Sequence, residues 1–143
     1  MNLRSFAAAL LVIVFLQTLS FGACVTTSHD YYVDISCGEF ADNPNGLHDN
    51  FNIEVGDKIR VKLCSNLSTG FQWEYEMTED NVLREEDYDF EEPSPGLTGV
   101  PGKEAWTFEA IGEGTTVINM EYSQPWQSGV EAQWTYGITI VVD

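Results

Sequence analysis

Basic residues are scarce in this 143-residue sequence, which holds six Lys and Arg against 23 Asp and Glu, for a formal net charge of −17. A chain with this charge repels the phosphates of nucleic acids and the head groups of anionic membranes, so we expect neither as a partner. The densest acidic run, 85–92, lacks the glycine and the alternating ligand spacing of a calcium loop. It is interpreted as a solvated strand or loop.

Histidine and cysteine are also rare. The two histidines, His29 and His48, have polar or turn-like neighbours, and nothing beside the three cysteines marks a nucleophile, so a Cys–His protease is not predicted. An acid hydrolase built on paired carboxylates has no support beyond the abundance of Asp and Glu. The spacings typical of metal ligands are missing as well. The sequence therefore predicts neither an enzyme nor a metal or cofactor.

Long apolar runs are limited to the N-terminus. Arg4 precedes the nearly uninterrupted apolar run 6–19, and the small residues Ser20, Gly22 and Ala23 follow it. This order is typical of a secretory signal, and a run of about 14 residues is too short to span a membrane comfortably. We expect residues 1–23 to be a cleaved signal and the mature protein to lie outside the cytoplasm.

Two cleavage patterns fit this signal, and they differ in whether Cys24 is lipidated. A signal peptidase can use Ser20-Phe21-Gly22, whereas Gly22-Ala23-Cys24 resembles a lipoprotein signal in which Cys24 becomes the lipidated first residue. An odd number of cysteines in a secreted chain needs an explanation. If Cys24 carries a lipid, Cys37 and Cys64 remain and can pair, although sequence does not supply the geometry that a disulfide requires.

Helical periodicity is missing, and short alternating stretches recur instead. The clearest is 57–63, in which apolar residues alternate with Lys and Arg as in a half-buried strand. Seven short strands separated by turn signals predict one all-β domain over residues 30–143, folded as a sandwich. The predicted strands are 31–37, 57–63, 72–77, 83–89, 104–110, 115–122 and 133–142.

Three loops stand out from this scaffold: 66–71, the Pro- and Gly-rich 93–103, and 123–132. They follow the second, fourth and sixth predicted strands, and alternate connections of a sandwich return to the same end. We therefore expect the three loops to lie together. Trp126 sits between Pro125 and Gln127 in the third loop, where exposure as an interface anchor is the favoured interpretation and packing over Pro93 or Pro95 the alternative.

The two aromatic residues after the first loop are interpreted differently. Trp73 lies within a predicted strand, where sandwich domains commonly bury a tryptophan, so it is assigned to the core. Phe71 stands at the loop edge and fits either the core or the surface. Within the loop, Gly70 permits a positive φ angle and a close approach of another chain, while Asn66 is expected to shape the loop by local hydrogen bonds.

The three loops resemble the motifs of chagasin-type inhibitors of papain-like cysteine proteases. Residues 66–73, Asn-Leu-Ser-Thr-Gly-Phe-Gln-Trp, are similar to the family pattern Asn-Pro-Thr-Thr-Gly-Tyr/Phe-x-Trp. Residues 99–102, Gly-Val-Pro-Gly, resemble Gly-x-Gly-Gly, and residues 124–126, Gln-Pro-Trp, resemble Arg-Pro-Trp. The resemblance extends from about residue 51 to residue 142. It implies an immunoglobulin-like β-sandwich and no cofactor.

The resemblance also implies a mode of action and a set of contacts. The three loops would form a wedge in the active-site cleft of a protease of the papain or cathepsin L type, giving reversible, competitive inhibition by a monomer. The first loop would cover the catalytic cysteine, with Thr69 and Gly70 closest. The implied binding residues are Asn66, Leu67, Ser68, Thr69, Gly70, Phe71, Gly99, Val100, Pro101, Gly102, Gln124, Pro125 and Trp126.

Three departures from the family pattern bear on affinity, and one alternative function stays open. Leu67 replaces a proline, Pro101 replaces a glycine and removes an N–H donor, and Gln124 replaces an arginine. Asn66-Leu67-Ser68 is in addition an N-glycosylation sequon, and a glycan there would clash with the wedge. The alternative is an extracytoplasmic sandwich module, such as a surface lipoprotein, that binds another protein or a glycan.

Overall fold

Residues 27–93, 100–126 and 128–143 are described by the computed structural model, and they form a β-sandwich of eight strands with little helix. The predicted all-β fold is confirmed. Residues 1–26, which hold the predicted signal and Cys24, lie outside the described residues. The elements are β1 Asp30–Ile35, α1 Cys37–Asp42, β2 Leu47–Ile53, β3 Lys58–Ser65, β4 Gln72–Met77, β5 Leu83–Glu91, β6 Gly102–Ala110, β7 Gly114–Ser123 and β8 Trp134–Val142.

Two four-stranded sheets pack face to face. The first sheet has the order β1-β3-β6-β5 and the second has the order β2-β8-β7-β4. The pairs β1–β3 and β2–β8 are parallel, and the other pairs are antiparallel. Alternate residues of the strands point between the sheets, so that burial of their apolar side chains drives the packing. Fully buried examples are Ile59, Val61, Leu63, Phe108, Ile118, Ile138 and Ile140.

The eighth strand, β2, was missing from the sequence prediction. Its seven residues, Leu-His-Asp-Asn-Phe-Asn-Ile, bury only Ile53 completely. The strand lies at the edge of the second sheet, where it pairs with β8 alone. Leu47, Phe51 and Ile53 share one face of the strand, but Asp49 interrupts that face and the other residues are polar, so the apolar alternation is too short to mark a strand.

The first predicted strand, 31–37, is two residues too long. Strand β1 ends at Ile35, and Ser36 then caps the short helix α1. The Ser36 hydroxyl accepts the Glu39 N–H at 3.3 Å, while the Glu39 carboxylate accepts the Ser36 N–H at 2.8 Å. This reciprocal capping box ends the strand because it satisfies the free N–H groups of the helix start. Phe40 is thereby buried between the rings of Trp73 and Trp134.

A disulfide joins Cys37 at the start of α1 to Cys64 in β3, across 27 residues of sequence. Closing a loop of that length restricts the unfolded chain and stabilises the fold by about 3–4 kcal/mol in the chain-entropy treatment. The bond also holds α1 beside the end of β3, directly before the first loop. The helix therefore adds its buried Phe40 to the end of the sandwich that carries the loops.

At the opposite end of the sandwich, the buried Asp57 fastens the chain that enters β1. Its Oδ1 accepts the N–H of His29 at 2.7 Å, and its Oδ2 accepts the N–H of Glu54 at 2.9 Å. Burial alone would raise the pKa of Asp57, but these two donors and the nearby His29 ring hold that pKa below its ordinary value. Asp57 is thus more stable ionised in the folded state than in the unfolded chain.

We expect Asp57→Asn to lower the free energy of unfolding by about 2 kcal/mol at pH 7, because the amide presents Nδ2 to one of the two N–H donors. Because the folded pKa is depressed, the contribution of Asp57 is present above pH 4 and fades as the pH falls through the folded pKa. Urea titrations at pH 7 and pH 3 measure both effects, with the exposed Asp80→Asn as control. Equal stability of the two variants at pH 7 would contradict this role.

Candidate functional site

The first loop is held in shape by Asn66. The Asn66 N–H donates to the hydroxyl of Tyr122 at 2.8 Å, which anchors the loop to β7. Its carbonyl accepts both the N–H of Thr69 at 3.1 Å and the Thr69 hydroxyl at 2.6 Å. Its side-chain Oδ1 accepts the Ser68 hydroxyl at 2.6 Å. These bonds close one 3-10 turn over Leu67–Thr69, so Asn66 shapes the loop, as predicted.

Gly70 ends this turn in a conformation that only glycine adopts readily. Its φ angle is +79°, and its N–H donates to the carbonyl of Leu67. A Cβ atom at this position would lie 2.5 Å from Cη2 of Trp126. The indole ring of the third loop therefore lies directly over the tip of the first loop. Trp126 is still 52% exposed, which confirms its predicted placement outside the core.

Gln124 joins the first and third loops by its side-chain amide. Its Nε2 donates to the Thr69 carbonyl at 3.1 Å, and its Oε1 accepts the N–H of Val130 at 3.2 Å. The Gln124 carbonyl in turn accepts the N–H of Trp126 at 2.9 Å, past the exposed Pro125. One amide thus closes the third loop and ties it to the first. The predicted grouping of these two loops is confirmed by these contacts.

The second loop is described only in part. Gly99 lies outside the described residues, Val100 is 43% exposed, and Pro101 is partly buried. Gly102 belongs to β6 and pairs with Ser65 at the end of β3, which places the described end of the second loop beside the start of the first. A Cβ at Gly102 would lie 2.5 Å from the Phe90 ring. The glycine is buried and makes room for that ring.

The buried carboxyl group of Glu104, which was not predicted from the sequence, holds the strands that flank the first loop. Glu104 is 2% exposed, and its Oε1 accepts the hydroxyl of Ser65 at 2.6 Å and the N–H of Trp73 at 3.2 Å. Its Oε2 accepts the Tyr88 hydroxyl at 3.1 Å. Burial and the nearby Glu104 raise the pKa of Tyr88 to about 12, so this donor stays protonated. Ser65 and Trp73 flank the first loop, so Glu104 fixes both of its ends.

An aromatic cluster continues this support up to the loop edge. Trp73 is buried, which confirms its assignment to the core, and its indole N–H donates to the Cys64 carbonyl at 3.0 Å. Phe71, for which both placements were open, is half-buried and stacks on Tyr122 at 5.2 Å between ring centroids. Tyr122 stacks in turn on Trp134 at 5.0 Å. Phe71 therefore belongs with the core.

Neither a metal site nor a membrane-spanning helix is found in the described part of the chain. Within residues 27–93, 100–126 and 128–143, no group of three or more His, Cys, Asp or Glu side chains is arranged to hold a metal ion. No helix in the same ranges is long and apolar enough to cross a membrane. What the loop end offers is a surface shaped by hydrogen bonds, with an exposed indole beside a glycine.

The chain is similar in sequence to two known proteins. The chain is 33% identical to amoebiasin-2 of Entamoeba histolytica over 96 residues, which cover 65% of this chain and 78% of that protein. It is 30% identical to chagasin of Trypanosoma cruzi over 78 residues, which cover 52% of this chain and 71% of chagasin.

The fold is similar to a crystal structure of the cysteine protease inhibitor EhICP2 from Entamoeba histolytica. That likeness has a TM-score of 0.67 at 24% identity and covers 82% of this chain and 99% of that one. The family model described as chagasin family peptidase inhibitor I42 matches residues 52–140, from the end of β2 into β8, and so includes all three loops. The chain therefore belongs to the chagasin family of peptidase inhibitors and is an inhibitor rather than an enzyme.

Proposed function

We propose that the protein inhibits papain-like cysteine proteases reversibly and competitively by inserting its three loops into the active-site cleft. The observation that carries this proposal is the joint tip of the first and third loops, where the exposed Trp126 covers Gly70. This chain matches the chagasin family model over residues 52–140, and it is 33% identical to amoebiasin-2 and 30% identical to chagasin over the aligned residues. The targets we propose are of the papain or cathepsin L type.

The tip is suited to blocking a cleft without chemistry. Thr69 and Gly70 end the turn of the first loop, and the Thr69 hydroxyl is already engaged with the Asn66 carbonyl, so we expect a target to contact the backbone here. A protease–inhibitor contact of standard size buries roughly 800 Å² on each partner and excludes substrate and water. Trp126 supplies a large, rigid anchor on one side, and the second loop would supply Val100 and Pro101 on the other.

Rigidity of the tip does not depend on the proline that the family pattern has at position 67. The hydrogen bonds of Asn66 to Ser68, Thr69 and Tyr122 hold the turn. Gln124, which stands where the pattern has arginine, links the Thr69 carbonyl to the third loop. A loop that is already ordered loses less conformational entropy on binding, so these bonds offset the missing proline.

We further propose that the inhibitor acts outside the cytoplasm as a monomer. Residues 1–23 serve as the export signal, and Cys24 is the first mature residue and a lipid attachment site if the lipoprotein cleavage is used. Residues 30–143 are then the folded inhibitor domain. The disulfide between Cys37 and Cys64 supports an oxidising compartment, because such bonds persist mainly in exported proteins.

Titration against papain and a cathepsin-L-like enzyme tests the proposed activity. A shortened protein, residues 25–143, which omits the signal and Cys24, is added to each enzyme while hydrolysis of a small fluorogenic substrate is followed. We expect loss of activity near one equivalent, relieved by raising the substrate concentration. The alternative function is an extracytoplasmic module that binds another protein or a glycan through the same loops. It predicts that the protease keeps its full activity in the presence of micromolar protein. Circular dichroism verifies that the added protein is folded.

Trp126→Ala is expected to raise the inhibition constant for papain about 30-fold, as loss of an aromatic interface anchor worth about 2 kcal/mol does. The free energy of unfolding should change little, because half of the side chain is exposed. The matched control is Tyr32→Ala, which removes an aromatic side chain that is 68% exposed on β1, away from the loops. Equal inhibition constants for the two variants would count against the wedge.

Gly70→Ala tests the contact between the first and third loops. Both this variant and Gly56→Ala place an alanine at a positive φ angle, so each should lose about 1 kcal/mol of stability. Only at Gly70 does the new methyl meet the Trp126 ring, since a Cβ at Gly56 has no atom within 4 Å among the described residues. We expect altered tryptophan fluorescence and weaker inhibition for Gly70→Ala alone. Matching inhibition by both variants would refute the role of this contact.

A further inference from the structure

The lysines and arginines within the described residues all lie in one sheet. Apart from Arg4, every lysine and arginine belongs to β3, β5 or β6 of the first sheet. There they are matched by acids: Lys58 lies 2.6 Å from Glu86, and Lys62 lies 2.7 Å from Glu91. The four strands of the second sheet contain no lysine or arginine. Their carboxylates therefore lack a neutralising cation within their own sheet.

On the second sheet, two glutamates face each other, and the Gln72 side-chain amide that donates to Glu74 at 3.4 Å carries no charge. Glu74 of β4 and Glu121 of β7 are directly paired across the antiparallel ladder. Among the described residues, no basic side chain forms an ion pair with Glu74, Glu76 or Glu121. Like charges that are directly opposite destabilise a sheet. A bound cationic group would remove this repulsion.

These glutamates line a groove that begins at the first loop. The groove has a volume of about 880 Å³, extends from Leu67 along β4, and reaches the buried Trp106 and the half-exposed Tyr88 of the first sheet. The Tyr75 hydroxyl donates to Glu85 of β5 and so ties the two sheets across the groove. Carboxylates on the rim and aromatic rings on the wall are the combination that accepts a lysine or arginine side chain, by ion pairing and by cation–π contact.

The edge of β4 indicates that a peptide, rather than a small cation, fits along this groove. Strand β4 pairs with β7 alone, so alternate N–H and C=O groups point away from the sheet. The Trp73 N–H points this way and donates to Glu104 instead of to a strand. Backbone direction alternates along a strand, so the N–H and C=O groups of Tyr75, two residues after Trp73, also point away from the sheet at its open edge. An extended segment can pair with such an edge.

We propose that the groove along β4 is a second docking site for the inhibited protease and accepts an extended, basic segment of that enzyme. The site lies next to the wedge because Leu67 belongs to both the first loop and the groove. It rests on the proposed function and extends it, since it makes target choice depend on basic residues beside the protease cleft. Complementary charge would also speed the encounter of inhibitor and enzyme at low salt.

The test uses a groove variant, Glu74→Gln with Glu76→Gln, and a control variant, Asp80→Asn with Glu113→Gln. Both lose two negative charges, and the control residues are exposed in turns at the end of the sandwich opposite the loops. The groove variant should be at least as stable as the wild type in urea, because it removes the repulsion from Glu121. Weaker binding by that variant is then no effect of unfolding.

Two probes are used with the wild type and both variants. The first is a fluorescein-labelled, end-blocked nonapeptide of alternating lysine and valine, measured by anisotropy without protease. We expect the groove variant to bind it about tenfold more weakly than the control does, and N-methylation of its alternate backbone amides to weaken binding to the wild type. The second is papain, whose association rate by stopped flow should fall about threefold for the groove variant at 20 mM salt and converge with the control at 300 mM.

The outcomes separate the groove from the wedge. Equal binding of the nonapeptide by the groove and control variants would overturn the groove as a site, even if papain is inhibited. Unchanged affinity of the N-methylated peptide would overturn strand pairing. Peptide binding together with equal papain association rates for the two variants would overturn the assignment of the segment to the protease. Failure of the wild type to inhibit papain would refute the proposed function and, with it, that assignment.

Discussion

The hydrogen bonds of one buried carboxyl group hold the loop end of this protein together. Glu104 lies between the two sheets, where a carboxyl group without partners would be costly. It is satisfied by Ser65 of β3, Trp73 of β4 and Tyr88 of β5. Because those partners belong to both sheets, the group sets the distance between the strands that enter and leave the first loop. The position of the loop tip follows from this constraint.

The first and third loops are ordered by hydrogen bonds to backbone groups. The Asn66 carbonyl closes the first turn, and the side-chain amide of Gln124 donates to the first loop and accepts from the third. The result is a surface whose shape is determined before any partner arrives. An inhibitor that blocks a cleft does not need reactive groups. A loop surface that is already ordered loses less conformational entropy on association. Leu67 and Gln124 differ from the family pattern, yet the loop end has its own means of staying ordered.

Sequence patterns predicted most of the sandwich and most of the loop end, for identifiable reasons. Alternation of apolar residues marks a strand wherever one face is buried, as in β3 and β8. It failed for β2, an edge strand that buries only Ile53 completely, and at Ser36, where a capping box stops β1. Glu104 was missed as a support, although it shares the inward face of β6 with Trp106 and Phe108, and that alternation was the available signal.

The amino-acid sequence by itself determined the all-β class, the strong acidity, the burial of Trp73 and the exposure of Trp126, because these follow from local alternation and composition. Only the tertiary structure decided that Trp126 covers Gly70, that Gln124 bonds to Thr69, and that all lysines and arginines beyond Arg4 gather in one sheet. The two contacts, Trp126 on Gly70 and Gln124 with Thr69, join residues more than fifty positions apart in the sequence. Their partners are set by the order and register of strands in two sheets, which no local pattern encodes.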